Sequence, residues 1–436
     1  MMTDECEANF CRLFSRRRRA MKPPSGPREV QADVRMRGFA RRVTVEAAHA
    51  WLDAQLRPLT AESVPLETAA GRVLSHAAVS PVDVPTFDRA MMDGFAVRAH
   101  GIAGASAYNP IVLDVVGEAF PGRPYAGEVA AAQAVKIMTG APMPDGADAV
   151  LPFELAEFAQ GRVRALGEVS PGKHVGARGE DVTAGTTVLP PGRLLRPQDV
   201  GLLSSVGIGR VECIGRVRVA IVLTGSELLP PGTPPGGCKI TDANGPMLQA
   251  LVERDGGSVI SREIVPDNRQ QIAQAIKQDA DVVLVSGGSS VGQDDHVPTI
   301  LAEQGELAVH GVAMRPSSPT GMGRLGERLV FLLPGNPVSC LCAYDFFAGR
   351  AIRGLGGRQL EWPYRSLRGK LARKINSEIG RLDYTRVTVA EGQVFPLAIG
   401  GASILSSTTR ADGFVVVPAD SEGYPPGAEV EVFLYQ

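Results

Sequence analysis

Four stretches between residues 217 and 333 constrain this chain more than anything else in it. Val217–Leu223, Ser258–Val265, Asp281–Val285 and Leu329–Leu333 are short strand-like runs, and all but the second are almost wholly apolar. Helical patterns lie between them, at Gly245–Arg254 and Arg269–Gln278. A strand that is apolar on both sides must be covered on both sides. Strands of that kind alternating with helices predict a parallel sheet between two helical layers. Three of the runs end in similar punctuation: TGSELLPPG after Leu223, SGGSSVGQDD after Val285 and PGNPVS after Leu333. Ligands of open α/β sheets gather beyond the carboxyl ends of the strands, so these three loops predict one pocket.

The rest of the 436 residues exceeds one core, so more domains are expected. Residues 1–37 carry Arg16–Arg19 without periodicity and are read as a disordered extension. Thr44-to-Leu56 reads as a helix capped by Thr44, with Ala48, Trp51, Leu52 and Leu56 near one face. With residues 38–80 and 169–210 it is assigned to a discontinuous mixed domain, which includes a short helix from Arg196-Pro197. Residues 81–168 read as a β-rich insert, 211–361 as the α/β domain, and 362–436 as a C-terminal β domain. The fold class is therefore multidomain α/β plus β.

Composition excludes more than it identifies. The net charge of -2 lacks the basic excess of a nucleic-acid binder. No apolar run reaches the length of a membrane span, and no apolar segment follows the N-terminal arginines as in a secretory signal. The six cysteines fit no zinc spacing, and Cys340 and Cys342 are read as reduced cytosolic packing residues.

In the loops, Gly287 and Gly288 permit a tight turn that exposes N–H groups, with Ser289 and Ser290 beside them; the alternative is a simple turn. Asn336-Pro337 after Pro334-Gly335 reads as a helix start whose amides face the same rim. Glu227, Asp242, Asp267, Asp294 and Asp295 are acids near that rim. Each alone is an ordinary loop residue, but together they suit a hard cation such as Mg2+. Arg315 is either a surface residue or a phosphate contact, and His296 has no companion ligands near it. Asp88, Asp93 and Asp181 either cap turns or reach the pocket from another domain or another chain.

As a set, PVDVPTFDRAMMDGFAVR, KIMTGAPMPDGADAV, GED, TGSEL, SGGSSVG and PGNPVS resemble the molybdopterin molybdenumtransferase family, the MoeA proteins and the E domain of gephyrin. The resemblance runs from about residue 40 to the end. It implies a homodimer of four-domain subunits, with an active site between the α/β domain and parts of the partner subunit. The implied reaction takes molybdate and adenylylated molybdopterin, inserts molybdenum at the dithiolene sulfurs and releases AMP with Mg2+. The implied partners are a molybdopterin adenylyltransferase and client molybdoenzymes. By motif, Asp93, Thr139 and Asp181 belong to the functional cleft. Glu227, Asp267 and Asp295 are its acids and metal ligands, Pro334 and Pro337 form the PGNP loop, and Ser407 is a C-terminal contribution.

The chain departs from the family pattern at five places. Ser226 stands in TGSE where the family has aspartate. His296 and Pro298 stand where it has tyrosine and lysine, and Ser318 in RPSSP replaces the second lysine of KPGKP. Asp88-Arg89-Ala90-Met91 replaces DNSA. The alternative to an enzyme is therefore a molybdenum-cofactor carrier with a lysine-poor site.

Overall fold

The computed structural model describes residues 42–288, 296–398 and 401–435. At its centre is a six-stranded sheet in the spatial order Ser258–Val265, Arg218–Thr224, Val282–Ser286, Arg328–Leu333, Gly321–Leu325, Glu306–His310. The first four strands are parallel and the last two antiparallel. Alternation along the strands feeds two cores. Val219, Ile221, Leu223, Val282, Leu284, Phe331 and Leu333 face one side. Ala220, Val222, Val283, Val285, Val330 and Leu332 face the other. The expected two-sided burial holds for the three inner strands, whereas Ser258–Val265 is the sheet's edge strand and only its Val265 is fully buried.

The antiparallel pair was not foreseen. Gly321–Leu325 reads GMGRL, which carries no strand signal. Its glycines are there for contact: a Cβ on Gly323 would lie 1.8 Å from the Glu306 carbonyl oxygen of the neighbouring strand.

Helix α1 (Val45–Gln55) is capped by Thr44, whose Oγ1 accepts from Ala47 N at 3.2 Å. Its apolar face was assigned to the discontinuous domain, but the structure places it elsewhere. Val45, Ala48 and Leu52 join the core of the α/β domain. Arg350 clamps Asp53 through two bonds of 2.7 and 2.8 Å, and His49 Nε2 lies 2.9 Å from Phe346 O. The amphipathic pattern specifies that a face is buried, not which surface covers it.

The mixed domain pairs Ala61–Pro65 with Arg210–Ile214 and Ala78–Val79 with Thr187–Leu189. Helix α2 (Pro197–Ser205) packs there, with Leu203 in a core shared with Leu74, Leu189 and Val211. Asp199 anchors its first turn. The buried carboxylate accepts from Arg196 N at 2.9 Å and from the guanidinium groups of Arg193 and Arg196. The bonds from Arg196, and then those from Arg193, hold its carboxyl far below the usual range against the opposing effect of burial. A depressed folded-state pKa gives stability that is complete above the unfolded value, near 4, and lost as pH falls below it. Asp199→Asn should therefore lose about 1–2 kcal/mol at pH 7. It should also show a shallower loss of urea stability than wild type between about pH 4 and 2.

The insert is a six-stranded sheet built around the 14-residue strand Ser106–Ala119, with cores on both faces. In the C-terminal domain Leu382–Ala390 pairs with both Gln393–Ala398 and Gly413–Val417, which closes five strands into a barrel. Tyr384 and Phe414 of this barrel belong to the same core as the α/β domain. Among the described residues no helix is long and apolar enough to cross a membrane.

Candidate functional site

The three strand-end loops do meet. Beyond the carboxyl ends of the parallel strands lies a cleft of about 680 Å3. Thr224, Gly225 and Glu227 wall one side. Ser286, Gly287 and Gly288 form the middle, and Pro334, Gly335, Asn336 and Pro337 the other side. Asp267 and the segment Ile240–Asn244, leading into helix α3 (Asn244–Arg254), complete the rim.

The glycines serve the turn first. Gly287 has φ +99°, and a Cβ there would lie 2.4 Å from Thr224 O. Its N–H is not offered to a ligand but donates to Leu333 O at 3.1 Å. The close approach is between two loops of the protein. Gly287→Ala should cost about 1–3 kcal/mol from its backbone conformation alone. A drop in thermal unfolding temperature would show it.

The helix start after PGNP also differs from expectation. Pro337 opens the helix Pro337–Ala343, but the Asn336 side chain makes no capping bond. The N–H of Val338 is taken by Ala402 O at 2.9 Å. This bond docks the C-terminal segment on the α/β domain and brings Ser403 into the cleft wall. Ser407, the residue singled out in this segment, is instead buried, and its hydroxyl donates to Ile404 O.

Glu227 and Asp267 line the cleft together. Gly225 makes room for the first: a Cβ there would sit 2.8 Å from Glu227 Oε2. Ser226 staples the two acidic loops. Its N–H donates to Asp267 Oδ2 at 2.8 Å, and its Oγ accepts from Asp267 N at 3.2 Å. A serine thus supplies the side-chain acceptor that an aspartate would, without a further charge beside Asp267. Lys239 Nζ donates to Ser226 O at 2.6 Å and ties a third loop to this pair.

Among the described residues no group of three His, Cys, Asp or Glu is arranged to hold a metal. The donor set nevertheless suits Mg2+, which takes one or two protein carboxylates and completes its shell with water and substrate oxygens. Glu227 and Asp267 could supply those two. Asp295 lies outside the described residues, as do Ser289, Ser290 and Asp294. The described wall carries Glu227, Asp242 and Asp267 and no lysine, arginine or histidine.

Sequence alone passed over Thr224, Ser286, Asn244 and Ser403. Asn244 does the most: Nδ2 donates to Ser286 Oγ at 2.9 Å and to Gly335 O at 2.7 Å, holding the middle and far loops together. The signal was its place in ITDANGP, an asparagine opening a helix just before Gly-Pro. Cys340 lies under this floor, 3.7 Å from Ser286 Oγ, with burial pushing its thiol up to about 12. It is a neutral packing residue, as read from the sequence.

Arg315 is not in the wall. Its guanidinium pairs with buried Asp383 at 2.5 Å, where Arg381 and Ser377 also converge, so its charge joins the α/β and C-terminal domains. Ser318 is likewise outside the wall, while Pro319 is in it. His296 and Pro298 open the helix Val297–Gln304.

Asp93, Thr139 and Asp181 lie outside the described cleft wall. Asp93 Oδ1 accepts from Thr139 N at 2.7 Å and from its Oγ1 at 2.8 Å. Those two bonds, the backbone one first, hold its carboxyl below the usual range. Asp181 N donates to Val84 O on the crossing segment. Next to Asp181 in the chain, Glu180 bonds Arg89, and Arg178 bonds Asp83, the arginine side chains being 45% and 65% exposed. Within one chain these residues do not reach the cleft wall.

Three family models cover the chain in order. Residues 43–207 match "MoeA N-terminal region (domain I and II)", 220–354 match "Probable molybdopterin binding domain", and 368–435 match "MoeA C-terminal region (domain IV)". Molybdopterin molybdenumtransferase 2 of Mycobacterium tuberculosis is 34% identical over 86% of this chain and 95% of its own length. The molybdopterin molybdenumtransferase of Haemophilus influenzae is 31% identical over 86% and 94%. Two crystal structures of the molybdopterin biosynthesis MoeA protein of Pyrococcus horikoshii superpose with TM-scores of 0.78 and 0.75 at 32% and 33% identity. Each covers 91% of this chain and 100% of its own. With all its domains matched in order and relatives above 30% identity along most of its length, the chain belongs to the MoeA family.

Proposed function

We propose that this cleft is the site of a molybdopterin molybdenumtransferase. In this reading it binds adenylylated molybdopterin and molybdate, transfers molybdenum to the dithiolene and releases AMP. The observation that carries the reading is the convergence of Glu227 and Asp267 on one cleft at the carboxyl ends of the parallel strands. Cleaving a phosphoanhydride needs charge offset at the phosphoryl oxygens, which bound Mg2+ supplies. Glu227 and Asp267 would hold that ion, and Ser226 keeps the Asp267 loop in register. Asn244 fixes the distance between the SGG and PGNP loops and so the width of the opening.

A wall of three carboxylates does not hold a polyanion unaided. We infer that a second copy of the chain covers the cleft with the face bearing Asp93, Thr139 and Asp181, in a homodimer. Arg89 and Arg178, now paired with Glu180 and Asp83, would have to turn from those carboxylates to the substrate's phosphates. An adenylyltransferase would supply the substrate, and molybdoenzymes would consume the product.

The departures at His296, Pro298 and Ser318 leave a second reading, a carrier that holds the finished cofactor without chemistry. AMP release by the purified protein with Mg2+, with and without molybdate, separates the two. Molybdate-stimulated release is expected. Tight binding of adenylylated molybdopterin with no AMP formed would leave the carrier.

A further inference from the structure

Nothing in the cleft wall accounts for the arginine run near the start of the chain. Residues 1–41 hold ten Lys and Arg against five Asp and Glu, in a chain whose totals are 45 and 47. The segment is basic by five charges and the remainder acidic by seven. Arg16–Arg19 lie outside the described residues, but the place where their segment joins the body is fixed. Val43 N donates to Gly311 O at 3.1 Å, and Ala313 N donates to Val43 O at 2.7 Å. Val312, between those two, donates to Ser318 O at 2.9 Å, and the next residue, Pro319, stands in the cleft wall. The chain thus enters the α/β domain one loop from the cleft. Arg19 precedes Val43 by 24 residues. A chain of that length spans about 25–30 Å as a random coil and at most about 80 Å. Such a tether keeps its charges near the anchor at a millimolar effective concentration.

The rim is charged to receive them. Glu227 and Asp267 line the cleft, and the described wall carries no lysine, arginine or histidine. Lys239, on the neighbouring loop, is spent on Ser226 O at 2.6 Å. Guanidinium groups bind carboxylates and phosphates alike through paired N–H donors. Four arginines against two carboxylates leave positive charge over, and an oxyanion entering the cleft would meet that charge in place of a bare acidic rim.

We propose that Arg16–Arg19 dock at the acidic rim of the cleft in their own chain, against Glu227 and Asp267, and supply the cations that the described wall lacks. The docking does not depend on the reaction proposed above; the use of those cations for a phosphorylated substrate does.

Two native cysteines report the contact. Cys11 stands five residues before Arg16. Cys238 is exposed beside Lys239, two residues before Ile240 of the cleft wall. The other described cysteines, Cys213, Cys340 and Cys342, are buried. In the full chain carrying Cys6→Ser, diamide takes two electrons and the two thiol protons from Cys11 and Cys238 and closes a disulfide where they meet. Peptide mass spectrometry follows its rate. We expect closure within single chains, slowed at least about fivefold by raising salt to about 0.5 M. Glu227→Gln with Asp267→Asn should slow it as much, and so should serine at all four arginines. Inorganic pyrophosphate, titrated without Mg2+, should bind the serine variant about tenfold more weakly than wild type.

A disulfide rate unchanged by removal of the two carboxylates overturns the docking. A disulfide found only between two chains overturns it too and gives the arginines to a second copy. A labelled oligonucleotide bound by the wild type and not by the serine variant, with closure insensitive to salt, gives them to nucleic acid instead. An unchanged pyrophosphate Kd beside a carboxylate-dependent disulfide overturns the supply of cations. A protein that passes both tests and releases no AMP upholds the docking and rejects the enzyme.

Discussion

Arg254→Met should destabilise the protein by about 3–5 kcal/mol, the cost of removing one partner from a buried ion pair. Arg254 ends helix α3 and ion-pairs with Asp255 at 2.9 Å and Asp345 at 3.0 Å, both carboxylates fully buried. Its Nη1 donates to Tyr364 Oη at 2.6 Å, and that hydroxyl donates to Asp345. Burial already pushes the Asp345 carboxyl up, with Arg254 the main force opposing it. Asp255 keeps a second cation in Arg353 at 2.9 Å; the only arginine bonded to Asp345 among these contacts is Arg254. Methionine fills the space and leaves that charge uncompensated.

The sign of the pH dependence follows. Below the unfolded carboxylate pKa, near 4, Asp345 is protonated in both states and the variant carries little charge penalty. As pH rises from there to the raised folded-state pKa, the unfolded state loses its proton first and the variant weakens. Urea unfolding of variant and wild type at pH 4 and pH 7 should show a gap that widens with pH. A gap of equal size at both values would mean that lost packing, not lost charge, sets the cost.

This network is also where the sequence is hardest to read. The strands of the central sheet are legible because burial on both faces leaves unbroken apolar runs such as VVLV. The charged joint leaves no such trace. Arg254 looks like a solvated helix end and Asp345 like a polar break in an apolar helix. Only the folding of Tyr364 back over them makes the set. The site divides the same way. Glu227 and Asp267 follow strand ends, a position the parallel fold marks in advance. Ser403 enters through one long-range bond, Val338 N to Ala402 O, which no local pattern encodes. Arg315 shows the converse error. A basic residue near a proposed anion site invites a ligand role until its carboxylate partner, 68 positions away in sequence, is seen. Ser226 reads as a lost charge, whereas its bonds to Asp267 show a retained staple.

Glu227→Gln is expected to lower kcat/KM for AMP release by about 10²–10³-fold, the usual loss when charge stabilisation in a transition state is removed. The substitution keeps the shape that lies against Gly225 and one carbonyl oxygen, so fold and cleft should persist with little change in unfolding free energy. What is lost is one of the two carboxylates of the described wall suited to a hard cation. The Mg2+ dependence locates the loss. If Glu227 acts by holding the ion, half-saturation should move to higher Mg2+ in the variant and excess Mg2+ should recover part of the rate. Asp267→Asn should then show the same displacement, because the two acids share one role. A variant with unchanged Mg2+ dependence and a fixed loss of rate would place Glu227 at the proton transfers instead. A variant with wild-type rate at every Mg2+ concentration would remove the cation role from this rim and leave the cleft as a binding surface.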